Sequence, residues 1–332
     1  MQDIADVLGI SKVTVSKALN DKDGVGEVLK EKIQEIADQL GYQIPESEKD
    51  DLDILRNIAI VLNEKFADGE AGFYLNFYHN ISTELNKKGY LSNLFTVNKS
   101  IDMKNETTFL LTQNNICGAI LLGDFKRSFV TEIKSLNIPC IFVDFYDVDS
   151  EIDCIVTENI YSTYNLTNHL IDYGHRDIGF VGCIYSTTSI QDRFLGYCRA
   201  LMEHKIPINN NWIINDRNEE NEKIQFNLPE KMPGSFVCNC DDTAFRFIKY
   251  IMEQGYRVPD DISIVSFDND IYAELSTPKL TTVAVDIISM AKKAADLIVE
   301  KVEEPNAGTR GVTFVKGNII YRDSVKRVRD NI

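Results

Sequence analysis

The chain has 332 residues, enough at roughly 150 residues per domain for two domains and a small appendage. Lys and Arg number 35 against 51 Asp and Glu, a formal charge of −16; that balance argues against a protein that coats nucleic acid or an anionic membrane. With 44% apolar and 26% charged residues, the composition excludes a disordered chain and a disulfide scaffold.

The opening MQDIADVLGISK carries acidic residues where a secretion signal would have positive charge and an apolar stretch. No export is implied and a cytoplasmic location is expected; Met1 leaves the first helix almost no leader, which suggests a start slightly upstream. Ile4, Val7 and Leu8 have the spacing of a short helix that stops at Gly9. Ser11 is placed to cap a second helix running to about Asn20. After the polar turn Asp21–Gly24, Leu29, Ile33, Ile36, Ala37 and Leu40 form one stripe of a third helix that Gly41 ends.

On a wheel of about 100° per residue, Ala18, Val15 and Leu19 of the second helix share one side. Taking Lys12 as zero, Ser16, Asn20, Val13 and Lys17 fall at roughly 40, 80, 100 and 140°, and Ala18, Val15 and Leu19 at roughly 240, 300 and 340°. Such a face suits a DNA major groove: lysines reach guanine acceptors or phosphates, Val13 meets a thymine methyl, and Thr14, Ser16 and Asn20 bond phosphate oxygens. An amphipathic helix with two lysines is equally an ordinary solvated helix, and periodicity alone favours that plainer reading.

From Ile58 onward, short apolar runs alternate with helical stretches. The runs are IAIVL (58–62), GAILL (118–122), CIFVD (140–144), IGFVG (178–182), SFVCN (235–239) and SIVSF (263–267), with helices after Ala71, Asn159 and Asp241. All are far shorter than the roughly 20 residues of a membrane span. Continuous apolar strands separated by helices indicate parallel sheets covered on both faces, and their number calls for two doubly wound lobes with a ligand cleft beyond the strands' carboxyl ends. The one linker candidate is the acidic stretch Pro45–Asp53. Seven cysteines, an odd count, lie mostly in apolar segments and read as free, reduced, buried thiols; Cys238 and Cys240, with no neighbouring His, make a poor metal site. Neither a metal nor a cofactor is expected.

The segment DIADVLGISKVTVSKALNDKDGV (Asp3–Val25) resembles the helix-turn-helix of the lactose-repressor (LacI) family of bacterial transcription regulators, including its V/I-S-x-x-T-V-S-[RK]-x-L-N core. The resemblance continues in YSTYNLTNHLIDYGHRDIGFVG (161–182), DRFLGYCRAL (192–201), GYRVPDDISIVSFDN (255–269), TPKLTTV (277–283) and RDS (322–324). It implies a three-helix DNA-binding domain at 1–45, an acidic linker at 46–57 and a two-lobed, periplasmic-binding-protein-like α/β regulatory domain at 58–332. One lobe would take about 58–157 and 286–311, the other about 158–283 and 312–332, with the last crossing near Gly311. It further implies a DNA face of Ser11, Lys12, Val13, Thr14, Ser16, Lys17 and Asn20, and a homodimer on a near-palindromic operator.

By the same resemblance, Asn63, Phe73, Asp144, Arg193 and Asp268 stand at effector-pocket positions. A paired Arg and Asp can bond the vicinal hydroxyls of a sugar, and an Arg can hold a carboxylate or phosphate bidentately. Without the resemblance, Phe73 reads as core packing and the two aspartates as strand-end caps. Several residues depart from the family pattern. Thirteen acids against seven bases in residues 1–56 leave that segment at −6, and the linker lacks the family's basic A-R-x-L sequence, so weaker or hinge-independent DNA binding is expected. Lys17 stands where Arg is common and loses the bidentate fork. Gly26 weakens the third helix's cap, Cys240 replaces an expected pocket Asn, and Asn218–Gly234 lacks the expected amphipathic helix.

The expected function is therefore a regulator, a repressor by family, that senses a small metabolite, a sugar or sugar derivative. The rival is a sensor or protein-interaction module with a weakened DNA-binding arm. His79, His169, His175 and His204 lie in no recognised nucleophile motif, and no Walker or Rossmann glycine fingerprint occurs, so an enzyme is not expected.

Overall fold

The computed structural model describes residues 2–19, 25–39, 56–64, 71–97, 115–147, 151–218, 222–305 and 307–328. Asn20, Leu40, Gly41 and the acidic segment Pro45–Asp53 lie outside the described residues, as do the side chains of Lys12, Val13, Ser16 and Lys17. The chain divides into two units, Met1–Leu55 and Arg56–Ile332.

In the first unit, α1 (Gln2–Leu8), α2 (Lys12–Leu19) and α3 (Glu27–Gln39) pack around Ile4, Ala5, Val15, Ile33 and Ala37, each at most 2% exposed. Gly9, at φ +64°, ends α1 in the left-handed conformation that glycine adopts without strain. Residues 9–11 then turn the chain into α2. Val7 departs from the expected buried spacing and is 63% exposed, because the inward line of this short helix runs through Ile4, Ala5 and Leu8. At α3 the backbone carbonyl of Gly26 accepts from Leu29 and Lys30.

The second unit contains two six-stranded sheets. The first holds β1 (Asn57–Asn63), β2 (Leu91–Val97), β3 (Ile116–Leu122), β4 (Cys140–Val143), β5 (Cys154–Thr157) and β11 (Val312–Val315) in the order β11-β5-β4-β3-β1-β2, all parallel. The second holds β6 (Ile178–Val181), β7 (Ile213–Ile214), β8 (Ser235–Cys238), β9 (Ser263–Asp268), β10 (Thr281–Ala284) and β12 (Asn318–Ile320) in the order β12-β10-β9-β8-β6-β7. There only β12 runs antiparallel to its neighbour.

Period-two alternation buries both faces of each sheet. Ile58, Ile60 and Leu62 pack under α4 (Ala71–Lys87) and α10 (Ile287–Glu303), while Ala59 and Val61 pack under α5 (Arg127–Ser135). In the second lobe, Ile178, Phe180 and Val237 meet α6 (Asn159–Asp172) and α7 (Thr188–Glu203), and Val181 and Phe236 meet α8 (Asp241–Glu253). The short helix α9 is Ile271–Leu275.

The chain crosses between lobes after β5, after β10 and between β11 and β12. The last crossing therefore lies at Lys316–Gly317, correcting the expected position near Gly311. Val312–Val315 pair with Cys154–Thr157 and belong to the first lobe, because their hydrogen bonds are made along the edge of its sheet. Glu222–Gly234 contains no helix. All seven cysteines are free thiols, and among the described residues no helix is long and apolar enough to cross a membrane.

Candidate functional site

The start of α2 is fixed by Ser11. Its Oγ accepts the Thr14 backbone N–H at 3.1 Å and lies 2.8 Å from the Thr14 hydroxyl, while its carbonyl accepts from Thr14 and Val15. The Thr14 N–H, one of the backbone donors that a helix start leaves unmatched, is thus satisfied. Val15 is buried, and Ala18 and Leu19 pack beside it. At about 100° per residue, positions 13 and 17 lie on the side of α2 away from Val15 and Ala18, with position 16 beside them and position 12 at the boundary near Leu19.

In the second unit, a cleft between the lobes is lined by Phe73, Tyr74, Asp144, Arg193 and Asp268 among others. Phe73 and Tyr74 enter from the first turn of α4, and Asp144 follows β4 with φ +69°, a conformation a non-glycine residue adopts uncommonly. The Tyr74 hydroxyl donates to Asp144 Oδ2 at 2.9 Å. Across the cleft, Arg193 projects from α7 and Asp268 ends β9 at φ +106°. Backbone strain of this kind concentrates at functional sites, and here it accompanies both carboxylates.

Arg193 is 5% exposed and held from several directions. Its Nε donates to Asn159 Oδ1 at 2.9 Å, one terminal nitrogen donates to the Asn239 carbonyl at 2.6 Å, and the other lies 3.1 Å from Asp268 Oδ1. The guanidinium carbon stands 3.9 Å from the centroid of the Phe267 ring. Burial opposes its charge, yet Asp268 and Asp144 outweigh that cost and hold Arg193 above its ordinary value. Carboxylates from both lobes therefore act on one cation.

Of the five residues expected at the pocket, four line the cleft together. Asn63 does not line it: its Nδ2 donates to the Asp124 carbonyl at 3.0 Å, tying the end of β1 to the loop after β3. Sequence reasoning missed Tyr74, which adjoins Phe73 in the same helical turn. It also missed Arg217 and Asn239. Arg217, 3% exposed, donates through Nε to Asp216 Oδ2 at 2.8 Å. Asp216 also accepts from Thr243 at 2.6 Å and from the Cys183 backbone at 2.9 Å. Burial pushes its carboxyl up, but Arg217 and these donors prevail and hold it below the usual carboxylate range. Cys240 stands 3.7 Å from Arg217 and 3.3 Å from Thr243. The only sequence signal for this network was the run NDRN, polar enough to read as loop.

A hydrogen bond ties the lobes directly: the Tyr146 hydroxyl, beyond β4, donates to Asp192 Oδ1 on α7 at 2.9 Å. Burial first, then Asp192, pushes Tyr146 up to about 12. Burial likewise raises Asp192, against the pull of Tyr146 and Arg193. The cleft has a cavity volume of about 30 Å³, on the scale of a water-sized group.

Residues 1–45 match the family "Bacterial regulatory proteins, lacI family", and residues 167–325 match "Periplasmic binding protein-like domain". The HTH-type transcriptional repressor PurR of Vibrio parahaemolyticus serotype O3:K6 is 25% identical over 336 residues, covering 99% of each chain. The regulator CelR in complex with cellobiose superposes with a TM-score of 0.70 at 19% identity, over 97% of this chain and 98% of that one. The lac repressor dimer bound to operator and the anti-inducer ONPF gives 0.70 at 18% identity, over 98% of both. The protein has a helix-turn-helix unit and a two-lobed binding-protein body, the architecture of a transcription regulator with an effector domain. Its N-terminal domain is that of the family of lacI bacterial regulatory proteins, joined to a periplasmic-binding-protein-like domain.

Proposed function

We propose that the protein is a ligand-responsive repressor that binds a palindromic operator as a homodimer in the cytoplasm, with no catalytic activity of its own. Ser11, Lys12, Val13, Thr14, Ser16, Lys17 and Asn20 form its DNA face, with phosphate contacts setting position and base-edge contacts setting sequence. A small polar metabolite, a sugar or sugar derivative, binds between Phe73, Asp144, Arg193 and Asp268. The observation that carries this reading is the convergence of Asp144 from one lobe with Arg193 and Asp268 from the other. A ligand engaging both lobes couples their orientation to the spacing of the two DNA-reading units. PurR and the lac repressor support the repressor sense by their names, and CelR–cellobiose supports a sugar.

The −6 charge of residues 1–56 favours a second reading, a sensor whose DNA-binding arm is weakened. Selection from random duplex DNA with the full chain separates the two. Enrichment of a palindrome supports the repressor; a pool that stays random supports the weakened arm.

A further inference from the structure

We propose that Asn239 is an effector-contacting, specificity-determining residue whose carboxamide reads a neutral edge of the ligand offering a hydrogen-bond acceptor beside a donor. This rests on the reading of the cleft as an effector site.

Asn239 follows β8 at its carboxyl end, lines the cleft and is 1% exposed. Neither Oδ1 nor Nδ2 of its side chain has a hydrogen-bond partner. Buried amides are normally bonded, and leaving one unmatched costs free energy that an apolar side chain of the same shape avoids. A residue serving the fold alone would therefore be better replaced.

Its surroundings hold it in place rather than satisfy it. Its own carbonyl accepts from Arg193 at 2.6 Å, and its backbone N–H donates to Val181 at 2.8 Å. Gly182, at the end of the neighbouring strand, leaves room for the side chain, since a Cβ there would stand 2.8 Å from Asn239 Cβ and 3.1 Å from Cγ. The carboxamide is thus pre-positioned at the mouth of two adjacent strands while its polar atoms stay unmatched within the protein.

A carboxamide presents one acceptor and two donors side by side. Its complement is an uncharged edge: vicinal hydroxyls, an acetamido group or the rim of a nucleobase. An ionised carboxylate or phosphate only accepts and would face Oδ1 without a donor. Asn239 also explains how the cleft keeps an amide although Cys240 occupies the position where the resemblance placed one.

The test compares the full-length protein with Asn239→Leu, which keeps the branching and removes both polar atoms, and with Asn239→Asp. Thermal unfolding is followed without additive and with cellobiose, ribose, N-acetylglucosamine and uracil as probes. Without additive, Asn239→Leu is expected to melt at or above the wild-type temperature; a fall of more than about 3 °C, roughly one ordinary hydrogen bond's worth for a domain of this size, overturns the proposal. A probe that raises the wild-type melting temperature should lose its shift in Asn239→Leu and most of it in Asn239→Asp. An undiminished shift overturns the proposal while leaving the effector-site reading intact. Should no probe shift the wild type, the additive-free comparison decides.

Discussion

Removing the Arg193 guanidinium would leave Asp268 and Asp144 facing a buried site without the cation that both act on. Breaking a buried ion pair from one side typically costs about 3–5 kcal/mol. Arg193→Ala should lose about that much in urea unfolding, and Arg193→Lys should recover only part, because an ammonium cannot span Asn159, Asn239 and Asp268 together. Asp241 supplies a pH test. It is fully buried, and burial, then Asp268 and Asp270, hold its carboxyl well above the usual range. The folded state thus keeps a proton that the unfolded chain releases near pH ~3.9. Its stabilising share is complete below that pH and is lost as pH rises through the folded value. Asp241→Asn should therefore gain stability relative to wild type as pH rises from about 4 to about 8; equal gaps at both pH values would contradict this. At this scale the cleft was legible where a polar residue ended an apolar run, as with Asp144 and Asp268. Asn63 ends a run in the same way yet bonds the Asp124 carbonyl, because strand-end position fixes location and not the partner. Arg217 carried no pattern, since its burial depends on the nonlocal contacts with Thr243 and Cys240.

Between elements, α6 and α7 approach closely at Gly196. A Cβ there would press on the Ile160 carbonyl more closely than real Cβ atoms approach backbone. Overpacking of this kind costs about 1–3 kcal/mol, so Gly196→Ala should lower the unfolding midpoint of the regulatory unit by that equivalent. At the DNA-reading unit, Ser11→Ala should cost about 1 kcal/mol by removing the α2 cap, visible as faster amide exchange at Thr14. Three of the strands that sequence missed share a physical cause. β2 is half-exposed along Leu91–Thr96 and shows no apolar run. β7 has only two residues, and β11 lies at a sheet edge with Val312 and Phe314 exposed. Most central strands, buried on both faces, announce themselves by composition, although the central β5 and β10 do not; edge strands are made by pairing partners that a local window does not contain.

For the whole molecule, lobe closure and charge distribution matter most. Tyr146→Phe deletes the hydrogen bond to Asp192, a bond to a carboxylate being worth about 1.5–3 kcal/mol. Solution scattering should then show a larger radius of gyration for the variant, and an unchanged value would mean that other contacts hold the lobes. The net charge of −16 does not exclude DNA binding, since the α2 stretch Lys12–Leu19 contains two lysines and no acid. This stretch is the one proposed above to read DNA. Its most direct measurement is the affinity of the full chain, and of the Lys12→Ala/Lys17→Ala variant, for a selected duplex and its scrambled counterpart at fixed salt. The wild type is expected to prefer the selected duplex by at least about 10³-fold and the variant to lose this preference; equal wild-type affinity for both duplexes would show that the stretch does not read sequence.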